Sequence, residues 1–265
     1  MNRTLGTYIA ALAIALLTAT PAAAAPKQKP DVAINTRTIE ANVTIDPALK
    51  AHPDLYRRLL AEGKRELEKW HAAADKDFRE NPDMFKDGRS YEFGRAYDQR
   101  SAIQGYISIT RNDYSYSGGA HPNHFTDTLL WDAHAHKFIN IHPFFKETST
   151  NGPALRTLAK AIRDAVVADK KKRGMSAKDA NDPTWIGGIK PALTNLGAIA
   201  LAPSTEPGKS SGLIVYFPPY AVGSYVEGDY IEFVPWTAFK THRSAAGERL
   251  FGGKRPPDDA KRHGE

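Results

Sequence analysis

Histidine is the residue type in this sequence best suited to acid–base chemistry or metal binding, and it is concentrated in one short stretch. Five of the nine histidines fall between positions 121 and 142: His121, His124, His134, His136 and His142. A zinc site needs three or four ligands that converge at about 2.0 to 2.3 Å from the metal, and carboxylates often join histidines there. Asp127 lies in the same stretch. The region from His121 to His136 therefore admits one enzymatic interpretation, a metal-dependent hydrolase.

The spacing of these histidines does not favour a metal site. His121 and His124 flank Pro122 in a predicted turn, and His134 and His136 alternate in a predicted hairpin. No helical His-x-x-x-His pair therefore presents two ligands on one face. The chain has no cysteine nucleophile. We find no recognisable catalytic constellation, expect exposed loop histidines, and predict neither a cofactor nor a bound metal.

The first half of the chain reads as a strand, a long helix and further strands. Apolar residues alternate with polar ones from Ile39 to Ile45, which is typical of a half-buried strand. A helix is predicted to begin at Pro53, because apolar residues then recur every three or four positions: Tyr56, Leu60, Gly63, Leu67, Trp70 and Ala74. Three aromatic-rich strands are predicted to follow as an antiparallel meander, over residues 90–99, 102–111 and 123–131.

The second half repeats that order of elements. Pro153 marks the start of a second helix, and Gly174 follows its cationic end at residues 170–173. Alternating apolar residues then predict strands near residues 196–200, 213–217 and 231–236. We therefore predict an α+β fold of two strand–helix–strands units, with antiparallel sheets and helices packed on one side.

The chain divides into four predicted segments. Residues 1–25 have the cationic start, apolar stretch and small residues of a cleavable signal peptide. Residues 26–112 form a first α+β lobe, residues 113–250 a second, and residues 251–265 a disordered basic tail. We expect a periplasmic or secreted protein with no stable membrane insertion after cleavage. The net charge of +6 is spread thinly, so no nucleic-acid partner is expected.

Two stretches resemble a known family. The first is Tyr-Ser-Gly-Gly-Ala-His-Pro-Asn at residues 116–123, which a strand ending in Trp131-Asp132 follows. The second is Leu-Ile-Val-Tyr-Phe-Pro-Pro-Tyr at residues 213–220, continuing to Gly228. Both are similar to the extracellular module, a domain of unknown function, that PdaC-type peptidoglycan deacetylases share with the lysozyme-sensing anti-sigma factor RsiV. With the intervening helix, the resemblance covers about half the chain.

The resemblance implies an α+β fold and a binding role. Deacetylating members carry a separate metal-dependent domain, whose His-x-x-x-His motif is not found here. Sigma-factor-restraining members have a cytoplasmic segment and a transmembrane helix, which we do not find in this sequence. The resemblance therefore implies a non-catalytic module that recognises a lysozyme-like muramidase or cell-wall glycan. The alternative is a metal-dependent hydrolase of envelope polysaccharide that uses the region from His121 to His136. The sequence leaves the oligomeric state open.

We predict that the two stretches form loops that meet at one edge of the sheet. The predicted binding residues are Tyr116, Ser117, Gly118, Gly119, His121, Asn123, Pro219, Tyr220 and Tyr225. Tyrosines bury a large area with few rotors, which suits an interface, although they could equally fill a sheet face around a tight turn. Most lysozymes are basic, and so is this chain. Long-range electrostatic steering of a lysozyme-like partner is therefore expected to be repulsive unless acidic residues gather on the binding face, and the candidates are Asp113, Asp127, Glu227, Asp229 and Glu232.

Overall fold

The computed structural model describes residues 28–259. The predicted signal peptide at residues 1–25 lies outside the described residues, as do residues 260–265. Within residues 28–259, no helix combines the length and the apolar character that a membrane crossing would need.

Within residues 28–259, nine strands form two sheets. The strands are Val32–Asn35 (β1), Ile39–Ile45 (β2), Tyr91–Ile103 (β3), Tyr106–Tyr116 (β4), Asn123–Asp132 (β5), Lys137–Ile139 (β6), Ala198–Ala202 (β7), Gly212–Phe217 (β8) and Tyr230–Pro235 (β9). The first six make one sheet in chain order, and the last three make a second.

The described part of the chain also contains six α-helices and five short 3₁₀ segments, which lie between the strands or follow β9. The α-helices are Pro47–Lys50 (α1), Pro53–Glu80 (α2), Pro153–Lys172 (α3), Ala177–Ala180 (α4), Pro183–Ile186 (α5) and Ala245–Leu250 (α6). The 3₁₀ segments are Pro82–Gly88, His142–Phe144, Leu193–Asn195, Tyr225–Glu227 and Trp236–His242.

The six-stranded sheet packs one face against α2. All its neighbouring strands are antiparallel except β2 and β3, which run parallel because α2 carries the chain back between them. The buried residues of α2 meet the apolar face of β2. A Cβ at Gly63 would lie 2.8 Å from Cγ1 of Val43, so glycine lets the helix approach the sheet closely. The α+β prediction, with helices on one side of largely antiparallel sheets, is confirmed.

The three-stranded sheet packs one face against α3 and meets the six-stranded sheet along β7. Every residue of β8 is buried, as expected for a strand covered on both faces. Leu213, Val215 and Phe217 belong to the core that contains α3. Ile214 and Tyr216 belong to a second cluster on the opposite face of the strand, and the Tyr216 hydroxyl accepts a hydrogen bond from Arg100 of β3.

Side-chain hydroxyls join the two sheets at the edge of β7. Ser101 donates to the Leu201 carbonyl oxygen over 2.7 Å, and Ser108 accepts from the Leu201 N–H over 2.9 Å. Thr128 donates to the Ile199 carbonyl oxygen over 2.9 Å. An unpaired strand edge would leave backbone groups without partners, and these three side chains provide partners in place of a neighbouring strand.

The predicted lobe boundary between residues 112 and 113 falls inside β4. The sheet continues from β4 into β5 and β6, since β4 pairs with β5 from Tyr106 to Ser115. The turn between β3 and β4 lies at Gln104 and Gly105, where both residues have positive φ, rather than near residue 100. A register shift between Gln99 and Ser101 lets β3 continue past the point at which its apolar alternation breaks.

The chain after residue 250 differs from the predicted disordered tail as far as Asp259. Phe251 is buried among Phe144, Phe145 and Phe239. The carboxylate of Asp259 accepts two hydrogen bonds from Arg100, at 3.0 and 2.7 Å. A composition rich in Pro, Gly and charge suggested disorder, but a long-range buried ion pair and an aromatic contact hold this segment against the fold.

Removing the hydroxyl of Ser108 should destabilise the protein. In Ser108→Ala the Leu201 N–H loses its acceptor in a buried position, which should lower the free energy of unfolding by about 1 to 3 kcal/mol. Urea denaturation measures this change. Ser115→Ala, at a partly exposed position of the same strand, is the matched control and should have little effect. Equal losses in both variants would contradict the role of Ser108 at the sheet junction.

The carboxyl of Glu232 is buried on β9 and its Oε1 has no hydrogen-bond partner within residues 28–259. Burial, with a smaller contribution from Asp169, raises its pKa to about 7. The folded state thus binds a proton more tightly than the unfolded state, so this group lowers stability as the pH rises from about 4.5 to 7.

Glu232→Gln should remove that pH dependence. The variant should be more stable than the parent by roughly 1 to 3 kcal/mol at pH 8 and show little gain at pH 4, because the parent carboxyl is then protonated. Urea denaturation at the two pH values measures the difference. Glu40→Gln, which alters an exposed carboxylate of β2, is the control. The same gain at both pH values would show that ionisation of Glu232 is not the cause.

Candidate functional site

Two loops meet beside the sheet junction. Loop 1 comprises residues 117–122 between β4 and β5, and loop 2 comprises residues 218–229 between β8 and β9. The Tyr225 hydroxyl donates to the Pro122 carbonyl oxygen over 3.0 Å. The His121 ring stacks on the Tyr225 ring with centroids 3.9 Å apart, and the Tyr220 ring lies 5.7 Å from the Tyr225 ring. We call His121, Tyr225 and Tyr220 the aromatic ridge.

Loop 1 takes its shape from a glycine and a tyrosine. Gly118 has φ +91°, a backbone conformation that glycine adopts without strain. The Tyr116 hydroxyl donates to the Gly119 carbonyl oxygen over 3.0 Å and closes the turn. The last residue pair between β4 and β5 is Ser115 with Asn123, and this pair fixes the base of the loop. Tyr116, Gly118 and Gly119 therefore position His121 by shaping the turn.

Loop 2 is held by the carboxylate of Glu227. It accepts hydrogen bonds from Lys170 and from Tyr230, each over 2.6 Å. It also accepts from the Ser224 N–H over 2.7 Å and from the Ser224 hydroxyl over 2.9 Å. Burial alone would raise the pKa of Glu227, but these hydrogen bonds lower it to about 2. The short helical turn that carries Tyr225 is thereby fixed to the end of α3.

Lys170 and Glu227 were not recognised from sequence as supports of the site. Lys170 was interpreted as part of the cationic end of a helix, yet it is fully buried and its ammonium group faces loop 2. Arg173, in the same run, donates to the carbonyl oxygens of Glu227 and Asp229. The signal that could have found them is the spacing of Ser224 and Glu227, which forms a capping box.

Tyr220 combines exposure with an unfavourable backbone. Its φ is +70°, a region that side chains other than glycine, asparagine and aspartate rarely adopt. Its side chain remains 57% exposed. Strained residues of this kind persist only when the surrounding structure holds them in place, and they are concentrated at ligand-binding sites. The backbone strain at Tyr220 therefore makes it the residue of the ridge that most favours a ligand-binding role.

An open groove of about 520 Å³ lies next to the ridge, between β5 and β6 on one side and β7 and β8 on the other. Its lining is mainly apolar and includes Leu130, Ile139, Ile141, Leu193, Ile199 and Phe217. Phe125 stands at the groove and is 49% exposed. Pro218 and Ala221 of loop 2 complete the lining, so the groove is continuous with the ridge. Sequence patterns did not indicate it, because it forms between segments far apart in the chain.

The structure brings only part of the predicted binding set together. His121, Tyr220 and Tyr225 form the ridge, and Pro219 precedes Tyr220 on loop 2. Tyr116, Ser117 and Gly118 instead line a second cavity of about 360 Å³, with Tyr91 and Glu92. Asn123 is exposed at the start of β5, and Gly119 is exposed at the turn. The predicted set therefore spans two neighbouring surfaces rather than one.

The expected acidic face does not form. Asp113 binds Arg95 and Asp127 binds Arg111, in both cases through guanidinium–carboxylate pairs. Glu227 binds Lys170, and Glu232 is buried beneath the sheet surface. Of the five carboxylates proposed, Asp229 is the one that is exposed without a side-chain ion pair among the described residues. The surface around the ridge therefore provides little long-range attraction for a basic protein.

The histidines that are close in sequence are dispersed in space. His121 belongs to the ridge, and His124 packs its ring edge-on against Tyr114. His136 pairs with Asp54 of α2 over 2.8 Å, and His142 contacts Thr148. Across residues 28–259, no group of three or more His, Asp or Glu side chains is arranged to hold a metal ion.

No protein-family model and no curated protein matches the chain. Among solved structures, it is similar to a DUF3298 family protein from Pseudomonas aeruginosa PAO1, with a TM-score of 0.54 and 16% identity over 82% of this chain and 88% of that one. It is also similar to a DUF3298 family member from Bacteroides fragilis NCTC 9343, with a TM-score of 0.48 and 16% identity over 76% of this chain and 70% of that one. At this identity the likeness to the Pseudomonas protein concerns the fold, that of a domain of unknown function.

Neutralising Glu227 should loosen loop 2. In Glu227→Gln the buried Lys170 loses its counter-charge, which should lower the free energy of unfolding by about 3 kcal/mol at pH 7. Because the folded pKa of Glu227 lies near 2, the difference should disappear as the pH falls towards that value. Chemical denaturation measures stability, and hydrogen exchange measures the opening of residues 218–229.

Glu248→Gln, at an exposed position of α6, is the control for that experiment. It should change neither stability nor exchange. Unchanged exchange in loop 2 of Glu227→Gln would refute the role of Glu227 in positioning the ridge.

Proposed function

We propose that this chain is an exported, non-catalytic binding module of the PdaC/RsiV-like type. The ligand contacts the aromatic ridge, and the candidate ligands are a lysozyme-like muramidase and cell-wall glycan. The observation that most supports this proposal concerns Tyr225. Its hydroxyl donates a hydrogen bond to the Pro122 carbonyl oxygen of loop 1, and its ring stacks on that of His121. Two loops that are about 100 residues apart in sequence thus present one contact surface.

The alternative that the tyrosines only fill a sheet face around a tight turn explains Tyr225 but not Tyr220. Tyr225 is partly buried and its hydroxyl is satisfied within the fold. Tyr220 has no such role, because it remains largely exposed and adopts a strained backbone conformation. Exposed aromatic residues at the centre of a surface patch are typical anchors of an interface. Tyr220 is therefore the residue we expect a ligand to cover.

The hydrolase alternative has no structural feature in its favour. It depends on histidines between His121 and His136, and these residues face different neighbours. The shared fold with the Pseudomonas DUF3298 protein is compatible with a binding role and identifies no ligand. The binding proposal therefore rests on the ridge itself.

Removing the Tyr220 side chain should weaken binding without a loss of stability. Tyr220→Ala loses the anchor, and Tyr220→Gly also releases the positive-φ strain, so the glycine variant should have an equal or higher Tm. Binding should weaken by about tenfold or more in both variants. Calorimetry with a muramidase and co-sedimentation with insoluble peptidoglycan measure it on the mature chain.

Phe138→Ala removes an exposed aromatic side chain of β6, which pairs with the end of β5 opposite loop 1; it is the matched control and should bind normally. Wild-type affinity in Tyr220→Ala would overturn the proposal, and so would a failure of the wild-type chain to bind either probe.

A further inference from the structure

The guanidinium of Arg173, at the end of α3, holds the end of loop 2. It donates to the carbonyl oxygens of Glu227 and Asp229, over 2.7 and 2.9 Å. Its Nε donates to the Asp169 carboxylate over 2.8 Å. The same guanidinium lies over the ring of Tyr230, 4.0 Å from its centroid. The end of loop 2 is therefore fixed to α3 by one cation that binds two neutral acceptors.

A buried carboxyl lies on the strand that Arg173 contacts. Glu232 follows Tyr230 by two positions on β9, so both side chains point to the face that packs on α3. Glu232 is 7% exposed, and its Oε1 has no hydrogen-bond partner within residues 28–259. When this carboxyl ionises, little water and no donor at Oε1 stabilise its charge, so a cation that reaches it is strongly attracted.

The charged groups that act on Glu232 come from the end of α3. The pKa of Glu232 rises to about 7, mainly through burial and further through the Asp169 carboxylate. Arg173 and Lys172 oppose this rise, and Arg173 does so more strongly. Arg173 is therefore the cation best placed to respond when Glu232 ionises.

The other elements that pack on β9 supply no competing charge at this position within residues 28–259. β8 places Val215 opposite Glu232. His242, in the 3₁₀ segment that follows β9, bonds a threonine of α3 instead. His124, on β5, acts on Asp229 and not on Glu232. The charge state of Glu232 is thus coupled to α3 and, through Arg173, to loop 2.

The charge of Glu232 decides which acceptors suit Arg173 best. With a neutral carboxyl, the guanidinium keeps Asp169 and the two loop 2 carbonyl oxygens as acceptors. With an ionised carboxyl, a second negative charge lies near Asp169 and repels it. A carboxylate is also a stronger acceptor for a guanidinium than a neutral carbonyl oxygen, because both partners are then charged. Ionisation of Glu232 therefore draws Arg173 away from loop 2.

We infer that Glu232 is a pH-dependent switch for the end of loop 2, which acts by competing for Arg173. While Glu232 keeps its proton, Arg173 holds the two carbonyl oxygens. When the proton passes to solvent as the pH rises, Arg173 turns to the new carboxylate and residues 227–229 are released. The Glu227 carboxylate keeps its contact with Lys170 at both pH values, so the loop loosens and does not unfold.

The switch regulates the aromatic ridge, because loop 2 carries two of its three rings. A ridge that is already ordered in the free protein loses less entropy when a ligand binds. Ligand binding should therefore be stronger below the pKa of Glu232 than above it. This expectation about the ligand rests on the proposed function, whereas the release of loop 2 does not.

Hydrogen exchange of the ligand-free mature chain tests the switch. Exchange rates of residues 218–229, corrected for the intrinsic rate at each pH, give the protection of loop 2. In the wild-type chain this protection should fall by about tenfold from about pH 5.5 to about pH 8.5. In Glu232→Gln the side chain is neutral at both pH values, so protection should be the same at both. In Arg173→Gln it should be low at both, because the carbonyl oxygens have lost their donor.

Two control variants identify the titrating group. Glu40→Gln alters an exposed carboxylate of β2, and His124→Gln removes the imidazole that acts on Asp229. Both should keep the wild-type fall in protection. Constant protection in the wild-type chain overturns the inference, and so does a fall of the same size in Glu232→Gln or the loss of that fall in His124→Gln. Thermal unfolding at both pH values checks that each variant folds.

Binding at the two pH values separates this inference from the proposed function. Muramidase or peptidoglycan binding that is weaker at the higher pH in the wild-type chain, but equal at both in Glu232→Gln, supports both. A pH-dependent protection without binding to either probe supports the switch and overturns the proposed function. Constant protection, together with binding that Tyr220→Ala weakens, overturns the switch and leaves the proposed function standing.

Discussion

The arrangement of the whole molecule depends on how the free edge of β7 is satisfied. Three hydroxyl groups on the six-stranded sheet provide the hydrogen bonds that a neighbouring strand would otherwise supply. The two sheets therefore meet along a line instead of merging into one surface. The groove lies beside this junction, between β5 and β6 on one side and β7 and β8 on the other.

The second constraint connects α3 to the ridge. Lys170 and Tyr230 direct their polar groups to one carboxylate, and that carboxylate also fixes the backbone of Ser224. A buried ion pair of this kind contributes little net stability, but it defines one position for the chain that it holds. The exposed part of loop 2 is therefore presented on a rigid base. Such a base lowers the entropy that a partner must remove on binding.

Much of the secondary structure could be predicted from the sequence, because it depends on local patterns. The apolar period of α2, the proline and glycine that bound α3, and the alternation in β2 all appeared where the structure has them. The continuation of one sheet through β4, β5 and β6 could not be predicted in this way, since strand pairing is a long-range choice. The proximity of the two loops was predicted from the resemblance of their sequences to the PdaC/RsiV-type module. No local pattern in these residues indicates it.

The parts of the site that sequence reasoning missed are those that depend on distant partners. Lys170 lies in a run of cations that is typical of an exposed helix end, and only Glu227 explains its burial. Asp259 lies in a segment whose composition is typical of disorder, and only Arg100 explains its position. The predicted acidic face failed for the same reason, because the counter-charges of Asp113 and Asp127 come from other positions on neighbouring strands.

The position of β4 has a practical consequence for anyone who cuts or fuses this chain. A fragment that stops at residue 112 would sever β4 and strip β3 of most of the hydrogen-bonding partner it needs near loop 1. The result would be an open sheet edge, which favours aggregation. Residues 28–259 should therefore be treated as one unit in expression work.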